Sequence, residues 1–360
     1  MRGSRLGLVS RVAQVIGEPG QATSSVSADE ASAVRPSSMR PLLMSCDALA
    51  ALRALGVRLD PAAPLGRLIR ETPEVVRDLY EAQIEAGVDV LCALTWGTAP
   101  RALAPIGMAF RAAALTGAAV DLALEATATV SRRVAVAGVL GRFPSSLSSA
   151  EAERLAEDYA THATRMAAAG CEILLACGFD ASSAVPSGLA KLARRAAMVS
   201  ANATQLATWV HLELTSGYRT ADGESLEDAV RSAIEGGADS IVFDVDSAEL
   251  AIGAMDRLKH VQYDGQIGFL LNASVGMKQP LETVSNAQGA HPVSLPDGSA
   301  GSALLNDPIS LEAWVAAAMR LIDAGARIVG GGPGTTVEHL ASLSKVLRES
   351  RRAPVWRRTV

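Results

Sequence analysis

Eight short apolar runs punctuate this chain, and between them apolar residues recur every three or four positions. The runs are PLLMSCD (41–47), VDVLCALTW (88–96), VAVAGVLG (134–141), CEILLACG (171–178), ATWVHLEL (207–214), DSIVFDV (239–245), IGFLLNA (267–273) and ARIVGG (326–331). Each is continuous rather than alternating, which suits a parallel strand covered on both faces. The segments between them read as helices. One begins at Thr72-Pro73-Glu74, an N-cap followed by proline at the first helical position, and stops at Gly87. It carries Val76, Leu79, Tyr80 and Ile84 at helical spacing. Another runs from about Ala150 to Ala169, and others span roughly 187–203, 224–236, 247–259, 309–325 and 336–349. Eight strands with intervening helices predict an α/β fold closed as a (β/α)8 TIM barrel over residues 41–350. An open doubly wound sheet is the alternative, but the early GxGxxG turn of a dinucleotide fold is missing.

Composition narrows the function classes. The 360 residues are 49% hydrophobic and 20% charged, with a mean hydropathy of +0.22, enough for a large core. A net charge of −5, without a basic patch interleaved with aromatics, argues against a nucleic-acid role. No apolar run is long enough to span a bilayer. The four cysteines, Cys46, Cys92, Cys171 and Cys177, form no CxxC, so a reducing, cytoplasmic compartment is expected. Residues 1–40 carry Arg2, Arg5 and Arg11 and then a serine-rich stretch, and read as a disordered tail. An organellar leader is the alternative, against which stand Glu18, Asp29 and Glu30. The basic segment 351–360 reads as a solvated C-terminal tail.

In such a barrel, function sits where the strands end. That rule selects Cys46 and Asp47 after the first strand, Thr95 and Trp96 after the second, and Arg142 after the third. It then selects Cys177 and Asp180, Glu213 and Thr215, Asp244 and Asp246, and Asn272 and Ser274 after the fourth to seventh. The run from Gly330 to Thr335 follows the eighth.

Several of these segments, in order, carry a resemblance. DAGARIVGGGPGTTVEHL (323–340) resembles the last strand of the homocysteine S-methyltransferase family, in which two cysteines follow the glycines. EAGVDVLCALTWGT (85–98), MAAAGCEILLACG (166–178), TADGESLEDAV (220–230) and LLNASVG (270–276) are similar to further segments of it, so the likeness covers roughly residues 41–350. The resemblance implies a zinc ion held by three thiolates, which lowers the pKa of the homocysteine thiol so that it attacks a methyl donor. The positions it assigns to those thiolates hold Val245, Gly332 and Pro333 here, so zinc is not expected. The acids it assigns to the substrate amine fall at Ser45 and Cys177, with Asp47 as a shifted substitute for the first. The strand 2 Thr-Asn pair becomes Ala93-Leu94, while Thr95 and Trp96 keep the threonine–aromatic part.

The remaining groups suggest chemistry of their own. Asp244, Glu213 and Cys177 are the catalytic candidates: the acids as a general base or as a seat for a cationic methyl donor, the thiol as a nucleophile. Asp47, Thr95, Trp96, His211 and Asn272 are candidates for binding substrate, Trp96 by stacking on a cation. Bland readings stand beside these: a capping role for Asp246, a structural role for His211, a small buried hydrophobe at Cys177, and a lid over the core at Trp96. Gly331, Gly332, Gly334 and Thr335 form a candidate anion site, for which a Thr335–Glu338 capping box would compete. Three functions follow. The first is a zinc-independent methyltransferase moving a methyl group between a small methylated donor and either a small acceptor or a corrinoid or folate carrier, with a small-molecule substrate and, for the carrier route, a corrinoid protein as partners. The second is a barrel binding a phosphorylated or acidic ligand at the glycine-rich loop. The third is a non-catalytic binding subunit.

Overall fold

A computed structural model describes residues 39–59, 63–141, 149–177, 187–221, 223–273, 309–350 and 353–354, all within one compact unit, Ser37–Val360. The expected tail 1–40 lies outside the described residues except for its last two. Met39–Arg40 pairs in parallel with Ala353–Pro354 from the basic C-terminal segment.

All eight apolar runs are strands: β1 (Leu42–Met44), β2 (Val90–Ala93), β3 (Ala135–Leu140), β4 (Ile173–Cys177), β5 (Ala207–Thr215), β6 (Ser240–Val245), β7 (Gln266–Leu271) and β8 (Ile328–Gly331). Every neighbouring pair is parallel, β8 pairs with β1, and the ring closes, so the molecule is a (β/α)8 barrel. Helices α1 (Pro73–Glu85), α2 (Ala112–Thr127), α3 (Ser149–Ala169) and α4 (Ser187–Ala203) follow β1 to β4, and α5 (Leu226–Glu235), α6 (Ala248–Leu258), α7 (Leu311–Asp323) and α8 (Val337–Glu349) follow β5 to β8. Two shorter helices, Ala48–Ala54 and Pro64–Glu71, precede α1. Among the described residues no helix is long and apolar enough to cross a membrane.

The strands are apolar throughout because each face meets a different core. One set of side chains, including Leu42, Met44, Val90, Val139, Leu175 and Ile328, fills the barrel. The alternate set packs outward under the helices, as Leu43, Leu91, Val136, Leu174, Phe243 and Val329 do. Returning from helix to strand takes a left-handed residue, and glycine serves at Gly87 (φ 102°) and Gly325 (φ 109°). Acids then pin the base of the barrel: Asp89 Oδ2 accepts from the Leu43 amide at 2.9 Å, and Asp239 Oδ2 from the Thr208 amide at 2.7 Å. One expected helix start holds without its capping bond, and another shifts. Thr72 stands at the N-cap of α1, but its hydroxyl donates back to Leu68 O at 3.4 Å. The cap of α8 is Thr336 with His339, not Thr335 with Glu338.

Candidate functional site

The C-terminal ends of β4, β5 and β6 bring Cys177, His211 and Asp244 together. Cys177 is the register partner of His211 across β4–β5, and Glu213 is that of Asp244 across β5–β6. Residues 211 and 213 point the same way on their strand, toward the barrel mouth. His211 Nε2 lies 3.1 Å from Asp244 Oδ2, with the side chains only 8% and 6% exposed. Burial alone would push this imidazole toward neutrality. The Asp244 carboxylate and the hydrogen-bonded Cys177 outweigh that effect and raise His211 to about 10, so it is an imidazolium at neutral pH. Glu213 is half-buried beside this pair, which gives the mouth an acidic rim. Cys92, from β2, also faces the interior, and burial pushes its thiol up to about 12.

A second group lies where β1, β7 and β8 end. Asp47 caps the helix Ala48–Ala54, its Oδ1 accepting from the Leu49 and Ala50 amides at 2.9 and 3.2 Å. Its Oδ2 accepts from the Gly334 amide at 3.0 Å. Thr335 is fully buried, donates to Gly332 O at 2.6 Å and accepts from the Asp47 amide at 3.1 Å. The amides of Gly331 and Gly332 go to Ser45 O and Leu271 O, at 3.2 and 3.0 Å. The donors an anion would use on this loop are thus engaged inside the protein, and a bound anion would have to displace Asp47. Asn272 is buried, and its Nδ2 donates to Asp246 Oδ1 at 2.7 Å. The cap of α6 is Ser247, which accepts from the Leu250 amide, rather than Asp246.

Thr95 and Trp96 divide in role. Thr95 is fully buried and joins β2 to β3, donating to Val139 O at 3.1 Å and accepting from the Val139 amide at 2.7 Å. Trp96 is half-buried and packs against both the barrel interior and the outer core. Arg142, Asp180 and Ser274 lie outside the described residues. Sequence reading missed His162 on α3, whose Nε2 meets Thr95 O at 2.9 Å. Burial lowers its pKa to about 4, so it is neutral and donates to that carbonyl. Its signal was placement in the buried stripe Leu155–Tyr159–His162–Met166 of α3.

The zinc–thiolate centre implied by resemblance does not fit these residues. Val245, Gly332 and Pro333 offer no side-chain donor, and a Cβ at position 332 would lie 2.1 Å from Asn272 Oδ1. Among the described residues no three His, Cys, Asp or Glu side chains are grouped to hold a metal ion.

Comparison with known proteins agrees with the barrel and its order of segments. The family model described as homocysteine S-methyltransferase matches residues 48–347. The crystal structure of the homocysteine methyltransferase MmuM from Escherichia coli, metallated form, superposes with a TM-score of 0.62 at 18% identity, covering 86% of this chain and 96% of that one. A methyltransferase from Methanosarcina mazei superposes with a TM-score of 0.52 at 12% identity, covering 87% and 93%. No curated protein matches in sequence. At these identities the superpositions speak for the fold, while the match across 48–347 speaks for descent. The chain belongs to the homocysteine S-methyltransferase family, a family of methyl-transferring barrels.

Proposed function

We propose that this barrel moves a methyl group from a small cationic donor, a sulfonium or quaternary ammonium, to a small acceptor or to a corrinoid or folate carrier, without zinc. The observation that carries the reading is the acidic mouth built by Asp244 and Glu213 around His211. An onium donor is attracted by buried carboxylates, and its charge disappears as the methyl leaves, so the mouth favours both binding and release. The face of Trp96 adds a cation–π surface. In this scheme Glu213 is the general base that takes the acceptor's proton, Asp244 holds the donor's charge, and Cys177 supplies the thiol of the site. His211 and Asn272 shape the pocket, while Asp47 and Thr95 hold its walls through the contacts above. A small-molecule substrate and a corrinoid protein are the partners this chemistry calls for, in the cytoplasm and without nucleic acid.

The test is a screen of methylated onium donors with thiol acceptors, following methyl transfer by native protein and by Asp244→Asn. The expected result is turnover that falls ~100-fold in the variant. Equal rates in both would remove Asp244 from the mechanism, and no turnover with any donor would remove the reading.

A further inference from the structure

We propose that the outward face of α2 is the contact through which two copies of this chain pair. The inference stands apart from the methyl-transfer reading and uses none of the groups at the barrel mouth. Helix α2 buries Leu115, Ala119, Val120, Leu122 and Ala123 against the barrel, as an outer helix must. The opposite side should then be polar. It presents Ala113 and Ala114, both exposed, with Gly117 and Ala118 half-exposed beside them. The helix is charged only at Asp121 and Glu125. The helices packed on either side differ. Helix α1 turns Glu74, Arg77, Asp78 and Glu85 to solvent, and α3 turns out Arg154, Glu157, Thr161 and Thr164. A helix apolar on every side is normally buried on every side, and this one is left open on one. A second observation is independent of those small residues. The turn Ala109–Arg111 leads into α2 and holds Phe110 with 79% of its surface exposed, the most of any large apolar side chain among the described residues. At helical spacing Phe110 continues the line of Ala114, Gly117 and Asp121. An aromatic side chain standing in water at the end of an apolar face rimmed by charges marks a protein contact.

The charges say what covers it. Arg111 and Asp121 are both exposed. Arg111 lies at one end of the face, its guanidinium 5.5 Å from the centre of the Phe110 ring. Asp121 lies about ten residues, or roughly 15 Å, further along. The strip is therefore positive at one end, negative at the other and apolar between, which makes it complementary to itself. Two copies related by a two-fold axis between Ala114 and Gly117 would run their α2 helices antiparallel. Arg111 of each copy then meets the second copy's Asp121, and the pair forms twice. Each Phe110 ring lies on the small residues of the opposite helix. Close approach is open at Gly117, where even an added Cβ would find nothing within 4 Å. Small side chains on both sides let the helix axes approach to about 8 Å, the short end of the range for packed helices.

The test is sedimentation velocity on the full-length chain over a dilution series. The expected result is a reversible dimer, with Phe110→Glu a monomer at the same concentrations. Arg111→Glu and Asp121→Arg should each raise the dimer dissociation constant roughly tenfold or more, because either reversal sets like charges against each other at both ends of the contact. The double variant restores opposite charges at every such contact and should return the constant to within about threefold of native. All three side chains are exposed, so the variants keep their cores, and thermal unfolding of each checks that the barrel persists. A native chain that stays monomeric at every concentration would overturn the inference. A dimer that persists in Phe110→Glu would place the contact on another face and overturn it as well. Charge reversals that weaken the dimer without recovery in the double variant would overturn the antiparallel pairing. None of these outcomes bears on methyl transfer, which is read at the barrel mouth.

Discussion

At the scale of single residues, the most telling contact is between Asn272 and Gly332. Asn272 Oδ1 occupies the place where a Cβ at 332 would sit, 2.1 Å away. Putting back the thiol that the family resemblance assigns there therefore does not restore a metal ligand. Gly332→Cys is expected to destabilise the barrel by about 1–3 kcal/mol through overpacking. Adding Asn272→Ala should recover part of that loss, with a coupling of about 0.5 kcal/mol or more. Urea unfolding of the two single variants and the double variant measures this, and strict additivity would show that the two side chains do not compete. The same scale shows what the sequence could and could not reveal about the site. Cys177, His211, Glu213 and Asp244 were legible because strand ends in a barrel converge on its mouth and the two-residue period fixes their direction. The roles of Asp47, Asp246 and Thr335 were less legible. Their partners, Gly334, Asn272 and Gly332, depend on how loops of separate strands meet, and no local pattern encodes that.

At the scale of elements, the strands and most helices could be read from periodicity because they obey one rule each. Helix α2 could not. Its sequence AAALTGAAVDLALEAT is apolar on most sides, so no polar face marks the period, although Leu115, Ala119, Val120 and Ala123 are buried within it. Ala48–Ala54 was missed because seven residues make barely two turns, whereas Pro64–Glu71 carried a readable signal that went unused: Pro64 at its first position and Leu65, Leu68 and Ile69 on one buried face. The C-terminal helix pair shows how packing fixes an element that periodicity only suggests. Trp314 of α7 is fully buried, donates its Nε1–H to Leu271 O at 3.0 Å, and meets His339 of α8 edge-on at 5.3 Å. Leu271 O also accepts from the Gly332 amide, so Trp314 supports the end of β7 and the glycine-rich loop together. Trp314→Ala is expected to cost about 3–5 kcal/mol. Thermal or urea unfolding checks this, and a cost below 1 kcal/mol, roughly that of a surface change, would show that the helix pair does not hold the loop.

At the scale of the whole molecule, two buried histidines give stability an opposed dependence on pH. His211 has its folded pKa raised to about 10 from an ordinary 6.5. It binds a proton more tightly in the folded chain, so its contribution is complete below pH 6.5 and is lost as the pH rises toward 10. His162 is lowered to about 4, so the unfolded chain binds the proton more tightly. Its contribution is complete above 6.5 and is lost as the pH falls toward 4. Stability from these two groups is therefore greatest near neutrality. His211→Gln should flatten the alkaline limb and His162→Gln the acid limb of a denaturation midpoint measured against pH. An unchanged alkaline limb in His211→Gln would mean that the His211–Asp244 pair is not ionised.

Descent from a methyl-transferring family, set beside Val245, Gly332 and Pro333 at the positions the resemblance assigns to its thiolates, reduces to one question: whether methyl transfer runs without a metal. The direct measurement is the zinc content of the purified protein, together with its rate of methyl transfer from an onium donor before and after treatment with a strong chelator. The predicted result is no stoichiometric zinc and an unchanged rate. One tightly held zinc per chain, with activity lost to the chelator and restored by zinc, would contradict it.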